Sequence, residues 1–155
     1  MFRILSAGVL LAASTAAVAA PAPQFLKKAA MGDTSEARLG TLIASRGASA
    51  QTRRFGAMLV RDHSAHRAKV DALAARMHVQ VMHQPVPEAR SEYAKLQGMR
   101  GRAFDMEVRR YMIDDHQKDI ADNREQAAGR EPMTAQLARN TLPTLQRHLQ
   151  MARSL

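Results

Sequence analysis

Two segments of this chain repeat one local pattern: Met58-Leu59-Val60-Arg61-Asp62-His63 and Tyr111-Met112-Ile113-Asp114-Asp115-His116. In each, three large side chains precede a polar residue and then an Asp-His pair. The offset, from residue 63 to residue 116, is 53 residues. That suits two helices of one bundle better than a solenoid, whose periods run about 20–50 residues and need three or more copies. Both Asp-His pairs fall where helical spacing calls for apolar side chains. Any fold for this chain must therefore place imidazoles and carboxylates at the contact between helices.

The rest of the chain reads as helix as well. Pro21-Ala22-Pro23 is a breaker leading into a first helix, where Phe25, Ala29, Gly32, Glu36, Leu39 and Ile43 step alternately by four and three, as a bundle stripe does. Gly47 ends it, and Ser49 can cap a second helix from about Ala50 to about Met77. The stripe of that helix carries Phe55 or Gly56, Leu59, His63, His66, Val70, Leu73 and Met77. From His78 to Arg90 the pattern breaks at Pro85 and Pro87, giving a long connection, after which Ser91 starts a short helical turn that Gly98 and Gly101 interrupt. A third helix is expected from about Arg102 to Ala128, with Phe104, Val108, Met112, His116 and Asp119 on one line, and Gly129 terminates it. Pro132 suits the first turn of a fourth helix faced with Leu137, Leu142, Leu145 and Leu149. Pro143 inside it should kink or restart that helix near Thr141. No segment has strand periodicity. The expected fold is all-α, an up-down bundle of four helices with its long connection between helices two and three.

The first residues read as a leader. Arg3 supplies a positive start, Ile4 to Ala12 is apolar, and Ala17-Val18-Ala19 has the small-x-small form of a cleavage site. The expectation is a signal peptide over residues 1–19, one helical domain over 20–155, and export to the periplasm or cell envelope. An uncleaved membrane anchor is the competing reading, and no stop-transfer segment follows the apolar stretch. The chain has no Cys, which excludes disulfides and thiolate metal sites. Its formal net charge is +9, with 18 Arg among 23 basic residues. Such a surface is drawn to anionic lipid headgroups or envelope polymers, or is simply solvated. Nucleic acid is not an expected partner, because there is no Trp, aromatics make up only 4% and no DNA-binding motif is present.

Every helix carries a metal-capable side chain on or beside its stripe. Helix one has Glu36. Helix two has His63 and His66, with Asp62 adjacent, and helix three has His116 and Asp119, with Asp115 adjacent. Helix four has His148. Residues three apart share a helix face and can share a ligand. A buried carboxylate must pair, bind a metal or become neutral. Two arrangements answer that demand: a site for one or two metal ions, or a polar network in which each Asp holds a His and fixes helix register. Carboxylates with imidazoles suit iron, manganese or zinc. Asp62 and Asp115 read as partners that orient the His ligands. The dipeptides Met77-His78 and Met82-His83 offer thioether and imidazole, a weaker pointer to copper. There is no nucleophilic Ser motif, phosphate loop or H-E-x-x-H, so no catalytic residues are assigned.

Several of these features together resemble an exported bacterial family of unknown function with a ferritin-like fold, often described as membrane or outer-membrane proteins. They are Glu36 in the first helix, the run at 58–63, Phe104-Asp105, the run at 111–116 and the ending Leu142-Pro143-Thr144-Leu145-Gln146-Arg147-His148-Leu149. The resemblance spans about residues 24 to 153 and implies a ferritin-like four-helix bundle and export, with no established activity. Ferritin-like di-metal proteins use Glu-x-x-His on two helices. This chain has none, and Asp-His stands in that place. Three functions follow as expectations: a metal-binding, stress-related envelope protein; a non-catalytic basic envelope protein with a structural His/Asp network; and, least favoured, a di-metal oxidoreductase. Oligomeric state is not legible.

Overall fold

The computed structural model describes residues 19–155 and contains five helices and no strand among them. The expected leader, apart from Ala19, lies outside the described residues. The helices are α1 (Ala22–Arg46), α2 (Ala50–Arg76), α3 (Pro87–Gln97), α4 (Gly101–Ala127) and α5 (Pro132–Arg153). The all-helical expectation holds. The count of four does not: the long connection contains a full helix, α3, opened by Pro87 at its first turn rather than by Ser91. Proline there loses no helical hydrogen bond and arrives with its φ already set.

Two antiparallel hairpins, α1/α2 and α4/α5, make up most of the fold, and α3 packs against α1 and α4. The first hairpin turns within three residues. The Ser49 side chain accepts the Thr52 N–H at 2.9 Å, capping α2 as its position suggests. Asp105 of α4 reaches across and accepts the backbone N–H groups of Ala48 and Ser49 at 2.8 and 2.9 Å. The turn is thereby tied to the second hairpin. Farther along, α1 and α2 touch backbone to backbone. A Cβ on Gly56 would lie 2.7 Å from the Gly40 carbonyl oxygen and 2.4 Å from the Ala44 nitrogen. Only glycine permits that approach.

Helix α2 ends in a Schellman motif: the Val79 N–H bonds the Ala74 carbonyl at 2.8 Å, with His78 in the left-handed region at φ 54°. Pro143 does not break α5, which runs unbroken through it. The Thr141 hydroxyl donates to the Leu137 carbonyl at 2.8 Å in the turn just before.

The core is divided lengthwise. One apolar cluster contains Leu39, Ile43, Phe55, Leu59, Leu96, Phe104, Val108 and Met112. The other contains Phe25, Leu26, Ala30, Val70, Leu73, Leu137 and Ala138. Between them the stripes carry Asp33, Glu36, His63, His116 and His148, all buried. The molecule therefore has a polar layer between two greasy ends, drawn from four helices. Among the described residues no helix is long and apolar enough to cross a membrane.

Candidate metal centre

Three imidazoles meet in the polar layer, one each from α2, α4 and α5. The ring centroids of His63 and His148, and of His116 and His148, are 5.3 Å apart, and those of His63 and His116 are 6.0 Å apart. One nitrogen from each ring lies within 4.8 Å of the other two. His116 and His148 are completely buried and His63 nearly so.

Each ring is held from outside by an acceptor. His63 Nδ1 donates to Asp33 Oδ1 at 2.9 Å, His116 Nδ1 to the Met112 carbonyl at 3.0 Å, and His148 Nε2 to Asp62 Oδ2 at 3.0 Å. The two carboxylates are ionised. Burial pushes Asp33 up, but hydrogen bonds and charge from His63 and His66 outweigh it and hold the group below its ordinary range. Burial likewise opposes Asp62, yet bonds from Arg61, His148 and Arg147 hold it far below that range. A carbonyl can only accept. These three bonds therefore fix which nitrogen of each ring carries the proton.

The consequence lies on the inner side. In neutral rings the lone pairs belong to His63 Nε2, His116 Nε2 and His148 Nδ1. His116 Nε2 and His148 Nδ1 are 3.2 Å apart, and neither has a hydrogen to give the other. His63 Nε2 is buried with no partner. Burial, with the neighbouring imidazoles, pushes His116 well below its ordinary pKa. Burial also lowers His148, to about 4, against the opposing pull of Asp62. Those two rings are therefore neutral at pH 7.

Glu36 completes the layer from α1. Its Oε2 is buried, has no hydrogen-bond partner and lies 3.9 Å from His63 Nε2. Burial first, then the charges of Asp115, Asp119 and Asp33, push its pKa well above the usual carboxylate range. Glu36, Asp115 and His116 also present one ligand atom each within 4.8 Å of one another. The three imidazoles, each oriented by an outer partner, and the overlapping group of Glu36, Asp115 and His116 are donor types that could hold a divalent ion.

The eight residues singled out in the sequence divide in three. Glu36, His63, His116 and His148 converge. Asp62 and Asp115 border the cluster, although Asp62 holds His148 across the bundle rather than its neighbour His63. His66 and Asp119 do not reach the imidazole cluster. The His66 ring bonds Asp33 through Nδ1 at 2.8 Å and Thr141 through Nε2 at 2.8 Å. Asp119 lines a cleft beside the layer, where burial and then the charge of Asp115 raise its pKa to about 8. Of the Met-His pairs, Met82 is exposed and His83 pairs with Asp71 at 2.9 Å.

Sequence reasoning missed Asp33, which bridges His63 and His66. Its signal was present. It follows Leu26 and Ala30 at helical steps of four and three and precedes Glu36 by three.

Comparison with known proteins agrees on an unassigned helical fold. The crystal structure of a DUF305 fragment from Deinococcus radiodurans is similar, with a TM-score of 0.76 at 19% identity, covering 89% of this chain and 97% of that one. At that identity the likeness speaks for the fold alone. No curated protein matches. A family profile described as Domain of unknown function (DUF4142) matches residues 7–155. The chain belongs to the DUF4142 family.

Proposed function

We propose that this protein is an exported, non-catalytic metal-binding helical bundle of the cell envelope, holding one divalent ion at His63, His116 and His148 with Glu36 as the fourth ligand. The observation that carries the reading is the set of tautomers. With all three rings neutral, the outer bonds commit the three protons outward and leave three inward lone pairs with no donor among them. Two of those nitrogens sit 3.2 Å apart. A purely structural network would offer each a hydrogen, and a cation offers all of them one partner. The absence of sulfur and the presence of one carboxylate favour zinc, iron(II) or manganese over copper(I). The four long helices are read as the ferritin-like up-down bundle, α3 being an insertion in its long connection. Export rests on the Ala17-Val18-Ala19 cleavage pattern. Asp119 and His66 are not ligands in this reading.

The competing reading treats the layer as structural, because Asp33–His63 and Asp62–His148 each pin one helix to another. Untagged protein stripped of metal and dialysed against zinc, iron(II), manganese and copper separates the two. One ion per chain is expected, lost in His63→Ala/His116→Ala. The parent alone should gain about 2.7 kcal/mol when metal stands a hundredfold above its dissociation constant. A melting temperature indifferent to all four metals would establish the structural network instead.

A further inference from the structure

A cleft of about 320 Å³ opens between the hairpins beside the polar layer, walled by α1, α2, α4 and α5. Phe25, Ala29, Gly32, Ala65, Leu137 and Leu145 supply apolar surface among polar and charged residues. Its volume is at the lower end for small-molecule sites and equals about ten water-sized volumes.

Gly32 is the telling residue. It sits in the interior of α1, where glycine costs helix stability relative to alanine. Elsewhere in this helix glycine has a reason, since Gly40 meets the backbone of α2. Gly32 has none within the protein: a Cβ there would find nothing within 4 Å. Its φ is not positive either. What its missing side chain preserves is open space in the cleft.

The charges of the lining are nearly all spoken for. Asp33 is bonded by His63 and His66, Asp62 by Arg61 and Arg147, and Asp122 by Lys28 across the mouth from α1 to α4. Asp119 is half-buried in the wall, where burial and the charge of Asp115 raise its pKa to about 8. Lys69 is exposed and lines the cleft, and it makes no ion pair among the described residues. A cleft with apolar surface and one uncommitted ammonium in its lining is complementary to a molecule with an apolar body and one negative end.

We infer that this cleft binds a small amphipathic organic anion, with its apolar body against Phe25, Gly32 and Leu137 and its charge at Lys69. The cleft borders one proposed metal ligand, His63, but the residues that carry the inference, Gly32 and Lys69, are not metal ligands, and the inference does not rest on metal being bound. The probe is sodium decanoate, twelve heavy atoms, titrated calorimetrically into both metal-stripped and metal-loaded protein. One decanoate per chain is expected in both. Gly32→Leu should abolish binding while leaving the melting temperature equal or higher, since leucine is the better helix former and fills empty space. Ala29→Trp is a second block from the same helix. Lys69→Ala should weaken decanoate about tenfold and leave neutral decanol unaffected. Undiminished binding to both blocked variants, or no saturable binding to the parent at millimolar decanoate, would overturn the inference. Neither result bears on metal stoichiometry, so failure here is distinguishable from failure of the metal reading.

Discussion

Removing the charge option from Glu36 should change how the metal-free protein responds to pH, by an amount the polar layer fixes. Four groups in and beside the layer contribute, and buried Glu92, raised by burial and by Glu107, adds to the acids. Glu36 and Asp119 have raised folded-state values against ordinary ones of 4.5 and 3.8. Their contribution is fully present below those ordinary values and is lost as pH rises through the folded values, about 8 for Asp119. His116 and His148 have depressed values against 6.5. Their contribution is present above 6.5 and is lost as pH falls through the folded values, about 4 for His148. Each proton held differently by the folded and unfolded chains tilts stability by about 1.4 kcal/mol per pH unit. Between about pH 4.5 and 6.5 the acids and the imidazoles tilt stability in opposite directions. Above 6.5 only the acids remain, so stability should fall toward pH 8, by about 1.4 kcal/mol per unit for each acid that still holds its proton. Glu36→Gln keeps the shape, removes one proton from the count and should make the fall shallower, by at most about 1.4 kcal/mol per unit. Urea denaturation with a chelator at pH 5.5, 6.5, 7.0 and 7.5 measures both slopes. A parent curve flat from 6.5 to 7.5 would refute the claim that raised acids still hold protons in that range. Equal slopes in parent and variant would refute the part assigned to Glu36.

Two more substitutions test the support of the layer and the scaffold. Asp33→Asn replaces the carboxylate that bonds His63 Nδ1; metal affinity should fall about 10–100-fold with stoichiometry still one, read by competition with a chromophoric chelator. Gly56→Ala puts a Cβ 2.7 Å from the Gly40 carbonyl oxygen and should cost about 1–3 kcal/mol in chemical denaturation without changing metal stoichiometry.

How much of this was legible depends on what set each feature. Helix limits governed by local chemistry were readable: Ser49 caps α2, Pro132 opens α5, and Gly129 follows the end of α4. So were the converging side chains, because a helix stripe that must face its partners carries whatever residue stands on it. Pro143 misled because its cost is one backbone bond, which packing of α5 against α4 outweighs. Helix α3 was underestimated because its buried face is only Ala89, Glu92 and Leu96, too few for a period to stand out. Partner choice was the illegible part. Adjacency in sequence coupled Asp62 to His63, but neighbours on a helix point about 100° apart, so Asp62 reaches His148 on α5 instead. Likewise His66 looked like a ligand by its spacing from His63, yet the shared carboxylate Asp33 lies between α1 and both rings and draws His66 outward.

The placement of the layer gives a single physical account of site and fold. Glu36 and His63 belong to one hairpin, His116 and His148 to the other. The apolar clusters on either side each include residues from both hairpins, so the hairpins would associate without the layer. What the clusters cannot supply is a partner for three inward lone pairs and a buried carboxyl, each of which costs stability while unpaired. That cost is confined to the seam between the hairpins, the same seam where the cleft opens and where Lys28–Asp122 and Arg147–Asp62 bridge the surface. An ion bound to the four inner atoms would remove the cost and join the hairpins at once, so its binding free energy would appear as resistance to their separation. Hydrogen exchange in α2 and α5, compared with and without metal, would report that resistance where the imidazoles sit. Equal protection in both states would place the stability of the seam in the apolar clusters and outer hydrogen bonds alone.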